Sequence, residues 1–190
     1  KIGADFYAND KTTFGIVLKG FINPSERNTV NNAIIQDNNL QTINKIEANI
    51  PMDIMFKNGS VNLNMTRKIK DKQELSINAD YIKYDSKIEQ SQFNKTLNPD
   101  NSVFADTRID SKLPSDVTIK VLKADYSGVN LFGGSFDLGA KSSFVKTGNV
   151  ADFRAVRDGI DTPNYTFSNN FEYKENIHAV YTNYAKEFDK

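Results

Sequence analysis

The chain has 190 residues, with 24 basic and 24 acidic side chains, 38% hydrophobic residues and no cysteine. The balanced charge argues against binding of nucleic acid, and the lack of cysteine excludes a disulfide framework or a thiolate metal site. No apolar run approaches the roughly 20 residues of a transmembrane helix, whereas transmembrane strands, which alternate and average out as hydrophilic, are not excluded.

In chain order, the patterned segments alternate apolar and polar residues, which predicts β-strands with two different faces. The clearest of them cover residues 12–21, 60–68, 74–84 and 135–144. In residues 117–126 the apolar positions change face after Val121, and we interpret this change as a β-bulge. The last segment, residues 175–188, carries apolar side chains on both faces, so we expect both faces to be partly buried there.

One short pattern recurs along the chain, an alanine and an aromatic residue two positions apart. It occurs as GADF, NADY, KADY and HAVY, at residues 3–6, 78–81, 123–126 and 178–181. Residues two apart share one face of a strand, so the residue between them, an aspartate in three cases, points to the other face. The pattern therefore indicates a two-sided strand with its aspartate on the wet side.

The connections between these segments are short and long in alternation. Three are tight and include hairpin sequences such as Asn-Asp and Gly-Gly, at residues 8–11, 70–73 and 130–135. The others are polar and are expected to be long loops, at about residues 23–56, 87–115 and 147–170. We therefore predict an all-β fold, an antiparallel up-and-down meander of about seven strands in one segment, residues 1–190. Outer-membrane barrels sort their connections in this way, and a soluble β-sandwich is the alternative.

The sequence offers little catalytic chemistry. The single histidine, His178, lies within a strand pattern, and we interpret it as a packed or lumen-facing polar residue rather than a catalytic group or zinc ligand. Asp80, Asp125 and Asp137 could meet on one polar face as a glycosidase pair does, but charged residues on the wet face of a sheet need no catalytic role. We therefore expect no enzyme activity and assign no catalytic, metal or cofactor site.

Two features of the polar stretches stay open as binding sites. Asn98–Asp110 holds oxygen ligands that a calcium ion could use, without the spacing of an EF-hand loop. Aromatic residues of these stretches could bind a glycan or a protein partner, namely Phe93, Phe104, Phe153, Tyr165 and Phe167. They could equally pack against their own sheet, so the substrate-binding residues stay unknown.

Four blocks of the sequence, taken in order, resemble a known family. They are SVNLNMTRKIKDKQELSINADYIKYDS from Ser60, LKADYSGV from Leu122, FDLGAKSSFVKTGN from Phe136 and NNFEYKENIHAVYTNYAKEF from Asn169. Together they resemble the outer-membrane β-barrel family of TonB-dependent-receptor-like proteins, found chiefly in the Bacteroidetes. The resemblance runs over about residues 1–190 and is weakest in the polar connections.

The resemblance implies a transmembrane β-barrel that seven strands cannot close, since barrels of this transporter type have about 22 strands. We therefore expect this segment to be part of a larger barrel and, since it begins at Lys1 and not at a methionine, an excised piece of a longer protein. The implied partners are outer-membrane lipid and TonB-type energy-coupling machinery that acts through the missing parts. The implied location is the outer membrane of a Gram-negative bacterium.

The lead hypothesis is a non-enzymatic barrel segment that serves uptake or surface binding of a bulky substrate of unknown identity. On this hypothesis Asp80, Asp137 and Lys141 face the lumen. The residues that face lipid are Leu75, Ile77, Ala79, Tyr81, Phe136, Leu138, Ala140 and Phe144. The alternative is a soluble extracellular or periplasmic β-sheet domain that binds a ligand or protein through its long loops, with the same apolar faces forming a core.

Overall fold

A computed structural model describes residues 1–70, 72–157 and 159–187 of the chain. The elements in these residues are all β-strands, and several are far longer than the usual five or six residues. The strands are β1 (Ile2–Asn9), β2 (Thr12–Gln36), β3 (Thr42–Lys70), β4 (Gln73–Leu97), β5 (Val103–Leu131), β6 (Gly134–Arg157), β7 (Ile160–Pro163) and β8 (Asn169–Ala185).

The strands form one antiparallel sheet in which each strand from β1 to β6 pairs with the next along the chain. The short β7 pairs with the end of β6, and β8 pairs with the preceding part of β6, Ser135–Ala151. The predicted all-β, antiparallel, up-and-down meander is therefore confirmed. In the part of the chain that the structure describes, the sheet is open, because no pairing joins β1 to β8.

The three predicted tight turns are where the sequence suggested. Each leaves two residues between its strands, at 10–11, 71–72 and 132–133, and residue 71 lies outside the described part of the chain. Phe132 and Gly133 both have positive φ, 51° and 74°, as a type I′ hairpin turn requires. This backbone twists in the same sense as the strands, which explains why the long β5 and β6 can meet in so short a turn.

The prediction of long polar loops is wrong for most of residues 23–56, 87–115 and 147–170. The first two stretches are strand except for residues 37–41 and 98–102, and most of the third lies in β6 and β7. Their polar residues satisfy their backbone groups through the ladders of neighbouring strands, so a polar composition does not require a loop here. The prediction of a single domain stays a prediction.

The sheet has two faces, which we define by paired residues of β3, β4 and β5. Face 1 carries Leu63, Ala79 and Leu122, and face 2 carries Asn62, Asp80 and Val121. We call the part of the sheet from the tight turns to the row of Tyr81 the proximal section, and the part beyond that row the distal section. The row of Tyr81 consists of Val61, Tyr81, Lys120 and Phe144.

The two sections have opposite polarity. In the proximal section, face 1 is apolar and face 2 is polar. In the distal section of β4, face 2 carries Ile82, Tyr84 and Ile88, while face 1 carries Lys83, Asp85, Lys87 and Glu89. β3 changes at nearly the same row, since the apolar face-1 residues Leu63 and Val61 give way to the face-2 residues Phe56 and Ile54. β2 does not change, because its distal apolar residues, among them Ile22, stay on face 1.

This inversion replaces the bulge predicted within residues 117–126. The pairing of β5 with β4 runs without a register shift from Ser127 to Ala105, so the apolar positions change face while the backbone stays regular. A bulge does occur, but it lies nearer the turn, between Tyr126 and Val129 in the pairing with β6. There Gly128, with φ of 78°, donates its amide to Asp137 Oδ1 at 2.9 Å.

The sheet has no conventional hydrophobic core. Among the described residues no large side chain is fully buried, and Leu97 is the one hydrophobic residue that counts as buried. Large apolar side chains of face 1 remain exposed, including Leu63 at 51%, Leu122 at 54% and Leu138 at 49%. Within the described ranges, the chain contains no helix able to span a membrane.

Candidate functional site

The most connected polar group lies on face 2 of the proximal section and links β5, β6 and β8. Asp125, Gly139 and Tyr181 are consecutive partners across these three strands. The Tyr181 ring lies over Gly139, where a Cβ atom would overlap it, and its hydroxyl donates to Asp125 Oδ1 at 2.6 Å. Lys123 Nζ lies 2.9 Å from the other oxygen of this carboxylate and 5.8 Å from the Tyr181 ring centroid. The glycine therefore allows one side chain to cross a whole strand.

The two other aspartates that the sequence predicted on this face have separate partners. Asp80 accepts a hydrogen bond from Asn62 Nδ2 at 2.7 Å. Asp137 accepts from the Gly128 amide at 2.9 Å and from Asn183 Nδ2 at 3.4 Å. The expected common face is confirmed, but the row of Asp80 lies four residues from that of Asp125, about 13 Å along the strands, beyond the separation of a glycosidase pair.

The single histidine, His178, lies on face 1 and not on the polar face 2. Its Nδ1 is 2.9 Å from the Ser142 hydroxyl, and its ring contacts Phe144 edge-on with centroids 5.6 Å apart. Both partners belong to β6, the strand paired with β8. The histidine thus takes part in a cross-strand packing contact on the face whose neighbours are apolar.

The oxygen-rich stretch Asn98–Asp110 is divided by the start of β5. Its first residues form a turn in which the Asp100 carboxylate accepts hydrogen bonds from the Ser102 amide and hydroxyl, at 2.9 and 2.6 Å. These bonds lower the pKa of Asp100. Asp110 lies well along β5, where it is paired with Arg108 at 2.8 Å. In the described residues no three acidic, histidine or cysteine side chains converge as a metal site would need.

Face 2 of the distal section carries apolar side chains on β3, β4 and β5. Three aromatic residues of this face form a diagonal row across β2, β3 and β4. Phe21 of β2, Phe56 of β3 and Tyr84 of β4 have ring centroids 5.6 and 6.1 Å apart. We call these three residues the aromatic ladder. Phe21 is 51% exposed, so the ladder offers ring surface to a molecule on this side of the sheet.

Face 1 of the distal section carries ion pairs, most of them between residues two apart on one strand. Such pairs join Lys83 to Asp85, Lys87 to Glu89, Arg108 to Asp110 and Lys174 to Glu172, at 2.7–3.4 Å. Glu172 also meets Lys146 of β6 at 2.8 Å. Hydrogen bonds from Lys146 and Lys174 lower the pKa of Glu172 to about 2.

Three of the aromatic residues predicted to lie in loops are on strands. Phe93 is in β4 under the Arg108 guanidinium, 5.2 Å from the ring centroid, and Phe104 is in β5. Phe153 of β6 contacts Phe167 edge-on, with centroids 6.2 Å apart. Tyr165 lies in the connection between β7 and β8 and is 84% exposed. The five side chains do not form one cluster.

The groups that the sequence did not reveal are the aromatic ladder and the crossing at Gly139. Phe21, Phe56 and Tyr84 are separated by 35 and 28 positions, so only the strand register brings them together. The one signal in the sequence was that Ile46, Ile50, Ile54 and Phe56 all occupy even positions, which indicates a strand with an apolar face.

Comparison with known proteins gives one family match. The model of a family described as "Outer membrane protein beta-barrel family" matches residues 66–190. The match includes the proximal sections of β4, β5, β6 and β8 and the polar group around Asp125. No curated protein matches the chain.

Proposed function

Because the chain belongs to the outer membrane protein beta-barrel family, we propose that it forms part of the wall of a non-enzymatic receptor barrel that takes up or binds a bulky substrate at the cell surface. The protein is located in the outer membrane, as its family is. The receptor proposal goes further and follows the resemblance to TonB-dependent-receptor-like proteins. A TonB-type energy-coupling partner is part of it and would engage parts of a longer protein outside this sheet.

The inversion of polarity between the two sections is the observation that supports this proposal most. In β4 the proximal section runs from Gln73 to Tyr81, nine residues, which is the length of a tilted transmembrane strand. Its apolar face 1 would contact lipid, with Leu75, Ile77, Ala79 and Tyr81 toward the acyl chains. Its polar face 2 would line the lumen, with Asp80, and with Asp137 and Lys141 on β6.

The distal section is proposed to project from the membrane on the outside of the cell. Outer-membrane barrels place short turns in the periplasm and longer parts outside, and the three two-residue turns lie at the proximal end. Residues 82–97 of β4 then extend about 50 Å beyond the membrane section, measured along the strand. The charged face 1 of this section fits a surface in water.

The apolar face 2 of the distal section is the proposed contact surface for substrate. The aromatic ladder offers flat ring surface in the distal section, just beyond the polar membrane section. Binding by ring surfaces needs no reacting group, and the polar side chains of face 2 described above are engaged with one another. A soluble β-sheet domain is not proposed, because the apolar side chains of face 1 are exposed and form no core.

Labelling of single cysteines on intact cells tests this proposal, since the chain has no cysteine of its own. Cysteine at Lys112 on face 1 and at Tyr84 on face 2 should react with a membrane-impermeant maleimide. We call face 1 of the proximal section the apolar band. Cysteine at Leu138, in this band, and at Lys11, in a tight turn, should react only after the cells are broken. A polymer-linked maleimide should still reach Tyr84, because a surface for bulky substrates must admit bulky molecules. Labelling of Lys11 in place of Lys112, or exclusion of the polymer from Tyr84, would refute the proposal.

A further inference from the structure

Lysines of face 1 mark the boundary at which the apolar residues of the proximal section end. Going outward from the band, the first formally charged side chain on each of five strands is a lysine. These residues are Lys57 of β3, Lys83 of β4, Lys120 of β5, Lys146 of β6 and Lys174 of β8. We call them the lysine belt. On β2, the first charged residue of face 1 is Glu26, so the belt begins at β3.

The register places the belt within three consecutive rows of face 1. Lys146 and Lys174 are direct partners, and Lys83 lies in the same row, because its partner Thr118 also pairs with Lys146. Lys57 lies one face-1 position farther out, since it pairs with Asp85, and Lys120 lies one position nearer the tight turns, in the row of Tyr81 at the edge of the band. All five side chains are exposed. Five cations therefore follow the edge of the band across the sheet.

The carboxylates of this region lie on the far side of the lysines. Asp85 is two residues outward from Lys83, and Glu172 is two residues outward from Lys174. Among the described residues, Lys57 and Lys120 form no ion pair with a carboxylate. Along each of these strands the order of charge outward is thus positive and then negative, while between strands Lys57 and Asp85 lie in the same row.

We propose that the lysine belt binds the phosphate groups of a phosphorylated glycolipid in the outer leaflet, an inference that rests on the orientation given under the proposed function. A bilayer places its phosphates directly beyond the acyl chains, which is the position of the belt relative to the band. Lysine suits this position because its four-carbon stem lies along apolar surface while its ammonium group reaches the head groups. The charge of the belt is complementary to phosphate, and a neutral glycolipid would leave Lys57 and Lys120, which form no ion pair within the described residues, without a counter-charge.

Retention of lipid A by the full-length protein tests the proposal. Wild-type protein in phosphatidylcholine vesicles should retain bisphosphorylated lipid A through purification and should retain dephosphorylated lipid A much less. The triple variant Lys57→Gln, Lys83→Gln, Lys120→Gln should reduce retention of the phosphorylated form by about tenfold or more. Inorganic phosphate should not displace the lipid, because the apolar band holds the acyl chains beside the phosphates.

The control variant carries the same change on the same three strands and the same face, but far from the band. It is Lys45→Gln, Lys95→Gln, Lys112→Gln, and its retention of lipid A should equal that of the wild type. A third variant with arginine at the three belt positions keeps the charge and should retain the phosphorylated lipid A. This variant tests the proposal even if the glutamine variant does not insert into the membrane, and loss of the lipid from it would count against the proposal. Equal loss in the belt and control variants would overturn the proposal. So would equal retention of the phosphorylated and dephosphorylated lipids by the wild type, or displacement by inorganic phosphate.

Discussion

The Tyr181 hydroxyl lies 2.6 Å from Asp125 Oδ1, although a whole strand separates the two residues. The contact exists because the strand between them has a glycine, Gly139, at the crossing point. It also connects two of the recurring tetrapeptides, KADY in β5 and HAVY in β8. The aspartate of KADY thus receives the aromatic hydroxyl of the one copy that has no aspartate.

Replacing Gly139 by alanine should destabilise the protein by about 1–3 kcal/mol, the usual effect of a group forced into a filled site. The new Cβ atom would overlap the Tyr181 ring, and the ring can move away only by giving up its bond to Asp125. Urea unfolding in lipid vesicles, followed by tyrosine fluorescence, measures the change. Gly59→Ala is the control, because a Cβ atom there meets nothing within 4 Å. Equal stability of the two variants would show that the contact of Tyr181 with Asp125 over Gly139 does not contribute to the free energy of unfolding.

Leu138→Arg and Val150→Arg separate the two sections on one face of one strand. Both side chains lie on face 1 of β6, and they are 49% and 40% exposed. Arginine at Leu138 should cost about 2–4 kcal/mol in a lipid-refolding assay, because it places a charge within the apolar band. At Val150, in the distal section, the change should stay within about 0.5 kcal/mol. A matching cost at the two positions would contradict the assignment of the sections.

Gly128→Ala should be strongly destabilising for two reasons. Its φ of 78° disfavours a side chain, and a Cβ atom would overlap the backbone carbonyl of Lys72. Gly159→Ala isolates the first reason, since φ is 75° there and a Cβ atom meets nothing within 4 Å. We expect about 1 kcal/mol for the control and at least about 3 kcal/mol for Gly128→Ala, measured by urea unfolding in lipid. A similar loss of stability in the two variants would mean that the backbone at Lys72 moves to admit the new Cβ atom at no cost in free energy.

The stability that Glu172 provides should depend on pH in one direction. Hydrogen bonds from Lys146 and Lys174 lower its pKa from 4.5 to about 2 in the folded protein. The unfolded chain therefore takes up the proton first, so the contribution is complete above about pH 4.5 and disappears as the pH falls toward 2. The melting temperature of wild type should exceed that of Glu172→Gln at neutral pH, and the difference should shrink across this range. A difference that stays constant from pH 6 to pH 3 would rule out this titration, and Glu175→Gln, on the same strand, serves as the control.

The sequence predicts the proximal section well, because one apolar and one polar face make period-2 alternation visible. Leu75, Ile77, Ala79 and Tyr81 follow that pattern, and so do Leu138 and Ala140. The structure places these residues on face 1, and Asp80, Asp137 and Lys141 on face 2, as expected. The tight turns were also predictable, since the patterned segments on either side of each turn nearly meet.

The distal section was mistaken for loops because its pattern has the opposite phase and many polar residues. Asparagine and serine indicate turns in general, but here they alternate with apolar residues on long paired strands. The change of phase after Val121 was visible in the sequence, yet a local bulge explained it equally well. Only the uninterrupted register between β4 and β5 distinguishes the two. The bond from Tyr181 to Asp125 depends on the register of three strands, which no single segment specifies.

The ion pairs between residues two apart bear on how such a wall can be assembled. In the proposed orientation, the distal section must cross the bilayer before the apolar band can insert between the lipids. Lys83 with Asp85, Lys87 with Glu89 and Arg108 with Asp110 each cancel charge within a single strand. A hairpin can therefore cross the low-dielectric interior with its charges nearly compensated, even before it pairs with neighbouring strands. The desolvation free energy that opposes this crossing is then smaller than the number of charged residues suggests.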